Sequence, residues 1–101
     1  MIEVAECRDL LVELGRRLRA ARIDRNDTMA VFAQRLGVSE GTVRAMERGT
    51  PTVQIGAWLN ALWMLNQLHT MNRVLEPRES ILDRARAEAK PRRRRASKRS
   101  P

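Results

Sequence analysis

The sequence predicts an all-α fold, and three observations carry that prediction. Apolar residues recur at helical spacing from residue 11 to residue 75, no run alternates with period two over a useful length, and Gly37 and Gly49 stand where two short helices would end. The stretch that organises the rest is TMAVFAQRLGVSEGTVRAMERG, Thr28 to Gly49. Its small Ala33, its Gly37, and the apolar Phe32, Leu36, Val38, Val43 and Met46 describe two short helices packed across a tight turn, which is helix-turn-helix spacing.

Taken in order, residues 4 to 23 read as a long amphipathic helix. Leu11, Leu14, Leu18 and Ala21 share one stripe, and Arg16, Arg17, Arg19 and Arg22 fall mostly elsewhere on the wheel. Gly15 weakens this helix without breaking it. A polar connection from Asp24 to Asp27 leads to Thr28, whose hydroxyl can accept from a backbone N–H of the next turn; Val31 stands where a glutamate would complete a capping box. The second helix runs to about Leu36. Ser39 caps a third over residues 40 to 48, and Gly49 and Pro51 stop it.

Between Gln54 and Leu65, the set Ile55, Trp58, Leu59, Leu62 and Leu65 predicts a fourth helix facing the core, and Leu68, Met71, Val74 and Leu75 a short fifth. Pro77 closes the domain, residues 1–76. Residues 77–90 carry helix formers and a cap at Ser80, but only Ile81 and Leu82 as larger apolar groups, so this helical segment needs a partner to become ordered. The tail, residues 91–101, has no apolar side chain larger than alanine and is predicted to be disordered.

Composition narrows the function. A chain of 101 residues buries a modest core, which favours a dimer. Residues 1–76 hold ten Arg against nine Asp or Glu, whereas 77–101 hold ten Lys or Arg against three acids, so the basicity is concentrated in the tail. The lone Cys7 closes no internal disulfide and the lone His69 has no metal-ligand companions, so neither zinc nor any cofactor is expected. No nucleophile–base pair, phosphate loop or metal set appears, which argues against an enzyme. Acids at Glu3, Glu6 and Asp9 do not suit a signal peptide, and no run reaches about eighteen apolar residues, so the expectation is a cytoplasmic protein with no membrane span.

The segment from Leu14 to Leu65, with its phrase LGVSEGTVRAMERGTPTVQIGAWLNAL, resembles the Cro and phage-repressor (XRE) family of helix-turn-helix proteins, and most of all its HipB-type antitoxin branch. The resemblance implies a five-helix phage-repressor-like domain whose third helix enters the major groove of a double-stranded DNA operator. Glu40, Gly41, Arg44 and Ala45 would then read base edges, Ser39 and Thr42 would lie near sugar or phosphate, and Thr28, Met29, Arg48 and Thr50 would lie near the backbone. Arg22 and Glu47 match a pair linking helix one to the end of helix three, with Arg22 also facing phosphate. Met29 departs from the family's usual glutamine and Asp27 from its usual apolar residue. Gly41 and Ala45 offer only close approach or methyl contact, which leaves Arg44 for guanine and Glu40 for cytosine.

Trp63 and Met64 lie about 140 and 240 degrees from Trp58 on the wheel. Two readings stand: with Leu68, Met71 and Leu75 they form an apolar interface for a second subunit or a toxin, or the N-terminal turn from Ile2 to Leu11 covers them. Arg16 and Arg19 are equally readable as solvated or as phosphate contacts. The function this implies is a repressor binding a palindromic operator as a homodimer, autoregulating as a HipB-like antitoxin. The alternatives are an interaction protein that neutralises a HipA-like kinase toxin, and a Cro-like phage switch.

Overall fold

The computed structural model describes residues 4–78 together with 85, 86 and 88. Four α-helices follow in order: α1 (Ala5–Asp24), α2 (Met29–Leu36), α3 (Glu40–Arg48) and α4 (Ile55–Met64), then a single 3₁₀ turn at Leu68–Met71. No strand occurs among the described residues.

All four helices stop by one device, which closes their last carbonyls. One residue past the end of α2 and α3, and two past the end of α1 and α4, a residue adopts a left-handed conformation, its N–H bonds back three residues, and the next N–H bonds back five. Gly37 (φ 75°) and Gly49 (φ 78°) do this for α2 and α3, as their spacing predicts. Asn26 (φ 65°) and Asn66 (φ 62°) do it for α1 and α4. Asparagine tolerates the left-handed region better than other residues with a side chain.

The fifth helix is corrected. Asn66 turns the chain out of α4, only one 3₁₀ turn follows, and Leu75 is itself left-handed (φ 59°) and 96% exposed. Val74 is exposed too, so the apolar pattern from Leu68 to Leu75 finds no surface that would reward a longer helix. The tail 91–101 lies outside the described residues, as does most of 77–90; of the latter, Pro77 and Arg78 are exposed, and Ala85, Arg86 and Glu88 are helical and exposed.

Leu18, Phe32, Ala33, Leu36, Val43, Met46 and Ala61 make the core, with Met29, Val38, Val53, Ala57, Trp58, Met64 and Leu65 packed partly against it. Phe32, Val43 and Met46 are fully buried, so the interior lies between α2 and α3, closed by α1 on one side and α4 on the other. Ile55, predicted to face the core, is 66% exposed. The phase of α4 is set by Ala61, which is completely buried, and by Ala57 one turn earlier; this turns Ile55 outward.

Glycine decides how α1 meets α3. A Cβ on Gly15 would stand 2.5 Å from the Glu47 carbonyl oxygen and 2.7 Å from that of Met46. One on Gly49 would stand 2.7 Å from the backbone of Leu11 and Val12. The two helices thus touch backbone to backbone at both glycines. In sequence Gly15 reads only as a helix weakener; its role as a contact belongs to the tertiary structure.

Candidate nucleic-acid interface

The starts of α2 and α3 are each capped by a hydroxyl. Thr28 Oγ1 accepts from the Val31 N–H at 3.1 Å, and Ser39 Oγ accepts from the Thr42 N–H at 3.0 Å. The two hydroxyls of Ser39 and Thr42 lie 2.9 Å apart. Each cap satisfies one N–H of its first turn; the others remain directed outward, together with the positive end of the helix dipole, a combination that suits an anionic group.

α3 divides cleanly into two faces. Val43 and Met46 are buried, while Glu40, Gly41, Arg44 and Arg48 are exposed, and Thr42 and Ala45 are half-buried between them. Every position assigned to base reading is therefore open or at the edge of the open face. Arg44 Nη2 lies 3.5 Å from Glu40 Oε2, with both side chains about half exposed (46% and 50%), so the two polar readers are loosely paired with each other. Exchanging this pair for new partners would cost little, since an exposed ion pair is worth about 0–1 kcal/mol. Gly41 has only Ser39 Oγ near a hypothetical Cβ, at 3.7 Å, so nothing in the fold requires glycine there. Arg48 makes no ion pair among the described residues and projects from the end of the same face.

Arg22 is placed differently from an open phosphate contact. It is 8% exposed, its Nε donates to Glu47 Oε2 at 2.6 Å, its Nη2 to Glu47 Oε1 at 3.1 Å, and its Nη1 to the Asp27 carbonyl at 2.8 Å. The hydrogen bond to Glu47 raises the guanidinium pKa above the usual arginine value against the opposing effect of burial. This buried fork ties α1 to the end of α3 and to the residue before Thr28, so Arg22 braces α3 from its buried side. Asp27, whose side chain is nearly buried, also accepts from Arg25 at 3.2 Å; an ion pair replaces the apolar contact at that position.

Met29 is half-buried and packs against the core, anchoring the start of α2 by its side chain while its backbone stays at the helix mouth. Thr50 is half-buried just past α3. On the arginine-rich face of α1, Arg16 and Arg17 are both bonded to Glu13, whose carboxyl these two hydrogen bonds hold below the usual glutamate range. Arg19 makes no such pair among the described residues.

The fold adds two residues to this surface. A cleft of about 430 Å³ runs between α3 and the start of α4, lined by Ser39, Gly41, Ala45, Thr52, Gln54 and Ala57 among others. Thr52 and Gln54 are exposed beside the reading helix.

Residues 13–66 match the family model of a helix-turn-helix domain. The chain belongs to this helix-turn-helix family. The match starts within α1 and ends at Asn66, so it contains the Gly15 contact with α3, the Arg22–Glu47 fork and all of α4, while Leu11 and Val12, which meet Gly49, lie just before it. Comparison with curated proteins and with solved structures returned no match. Membership makes DNA the expected partner of this helix-turn-helix protein and transcription regulation its setting. No helix among the described residues is long and apolar enough to cross a membrane, and no group of three or more His, Cys, Asp or Glu among them could hold a metal ion. Cys7 is exposed.

Trp63 is 70% exposed, so the described part of the N-terminal turn leaves it open; Met64 is half-buried and packed against the core. Of the remaining interface candidates, Leu68 and Leu75 are exposed and Met71 is half-buried.

Proposed function

We propose that this helix-turn-helix protein is a sequence-specific transcriptional repressor of the Cro and phage-repressor (XRE) type, binding a palindromic operator as a homodimer. We read its setting as autoregulation by a HipB-like antitoxin in the cytoplasm, with binding and no catalysis as its work. The observation that carries this reading is the exposed face of α3, where Glu40, Gly41 and Arg44 stand open beside the capped starts of α2 and α3, on a helix braced by Arg22–Glu47. Thr28, Met29, Ser39, Thr42, Ala45, Arg48 and Thr50 surround that face as backbone and edge contacts. Two such helices about 34 Å apart would read successive turns of the major groove. Footprinting on the protein's own promoter tests this: a symmetric protected site supports it, and no protection at any symmetric site overturns it.

One observation favours a second reading. The exposed Trp63 suits a protein partner, so the chain would bind and neutralise a HipA-like kinase toxin, with DNA binding secondary. Co-purification with the product of the adjacent gene separates the two readings.

A further inference from the structure

Helix α4 is apolar on both of its faces. Its inner face, Ala57, Trp58, Ala61, Met64 and Leu65, packs on the core. The opposite face carries Ile55, Leu59 and Trp63 at four-residue spacing, with Leu62 at its edge; Ile55 is 66% and Trp63 70% exposed, while Leu59 and Leu62 are half-buried. A helix with large apolar residues on opposite faces, its one polar residue being the exposed Asn60 at the edge, belongs inside a structure, and this one is covered on one side only.

The surrounding sequence restricts what can cover the other side. From Pro51 to Asn72 there is no Asp, Glu, Lys or Arg, in a chain that is 32% charged. A two-fold dimer sets each residue of a patch close to the same patch on its partner, so a charged patch meets its own sign. The α4 face can meet itself without that penalty. The groove on the other side of α4, about 620 Å³, is rimmed by Arg17, Asp24 and Arg25 and lacks this property. A phosphate backbone is equally unsuited to an uncharged face.

Area agrees. The open parts of Ile55, Leu59, Leu62 and Trp63 amount to roughly 400 Å² of apolar surface, about the apolar half of the ~800 Å² each partner covers in a stable dimer. Gly56 lies on this face between Ile55 and Trp63, and a Cβ there would meet nothing within 4 Å, so no contact inside the subunit requires glycine. It leaves a notch in which a partner's side chain can sit.

We propose that the outer face of α4, Ile55–Leu59–Trp63 with the Gly56 notch, is the surface through which two copies of this chain pair. This rests on the homodimeric repressor reading and names the surface that reading requires. It also sharpens the interface expected from sequence: Ile55 and Leu59 join Trp63, and Met64 belongs to the core.

The test uses the full chain. Sedimentation across a concentration series should give a dimer for the wild type and a monomer for Ile55→Glu/Trp63→Glu, with association weakened about 30-fold or more. Gly56→Ala should keep or raise the thermal midpoint of the monomer while weakening pairing. Should the double variant lose its helical circular dichroism, Trp58→Phe decides the matter, because it leaves Trp63 as the one tryptophan. Its emission should move to the blue, and its quenching by acrylamide fall, as the mass doubles. A chain that stays monomeric throughout, or one that doubles in mass while Trp63 remains open to quencher, overturns the proposal. A wild type that pairs through Trp63 yet protects no symmetric DNA overturns the repressor reading and leaves the interface standing. Protection of a symmetric site with Trp63 still exposed sinks the interface alone.

Discussion

Three glycines that look alike in sequence fall into two kinds of environment, and substituting one of each kind tests the fold and the site separately. Gly15→Ala would force a Cβ to 2.5 Å from a backbone carbonyl, so the expected outcome is a loss of several kcal/mol or a failure to fold, measured by chemical denaturation. Gly49 is held by the same kind of contact, against Leu11 and Val12. Gly41→Ala meets no obstacle and removes a glycine from the first turn of α3, so it should stabilise by about 0.4–1 kcal/mol, chiefly by restricting the unfolded chain. If α3 lies against base edges, the same change alters affinity for the operator; an unchanged affinity would show that no close approach occurs there. At the buried fork, Glu47→Ala leaves the Arg22 guanidinium without its carboxylate at 8% exposure and should cost about 3 kcal/mol. Arg22→Met combined with Glu47→Leu should cost much less, because no unpaired charge remains. Equal losses for the single and double variants would mean that packing, and not the charge pair, holds α1 to α3.

At the scale of the helix, α3 needs both its cap and its reading side chains, and the two contribute differently. Ser39→Ala removes the hydroxyl that accepts from Thr42 and should cost about 1 kcal/mol of stability while weakening every DNA sequence alike. Arg44→Ala should leave stability unchanged within about 0.5 kcal/mol, since the partner it loses, Glu40, is half exposed. It should reduce operator binding by about 1–3 kcal/mol and relax the preference at one base position, read by competition with single-base operator variants. Loss of affinity without loss of discrimination would place Arg44 on phosphate.

For the whole molecule, charge is distributed so that residues 1–76 are nearly neutral, with ten Arg against nine acids, and residues 77–101 carry ten Lys or Arg against three acids. With Arg22 bonded to Glu47, and Arg16 and Arg17 to Glu13, several arginines of the folded part already hold a carboxylate. Deleting residues 91–101 should therefore weaken operator and random DNA together and flatten the dependence of log affinity on log salt by roughly 0.9 for each phosphate the tail neutralises. An unchanged slope would mean that the tail does not touch DNA.

How much was legible in the sequence follows from how local each signal is. Thr28, Gly37, Ser39 and Gly49 act on their own turns, through hydroxyl acceptors and left-handed φ, so the ends of α2 and α3 could be read residue by residue. Asn26 and Asn66 use the same chemistry but are weaker signals, because asparagine is also common in ordinary loops. The face of α3 followed from its period: with Val43 and Met46 inside, Glu40, Gly41 and Arg44 had to be outside. The sequence by itself determined a helical fold over the described residues, the helix-turn-helix and which face of α3 is exposed. Only the tertiary structure decided which apolar stripe of α4 is covered, that Gly15 is a contact, and that Arg22 is buried, because each depends on a surface supplied by residues distant in the chain. Periodicity can show that α4 carries apolar residues on opposite faces; the packing of Ala57 and Ala61 determines which of them stays open.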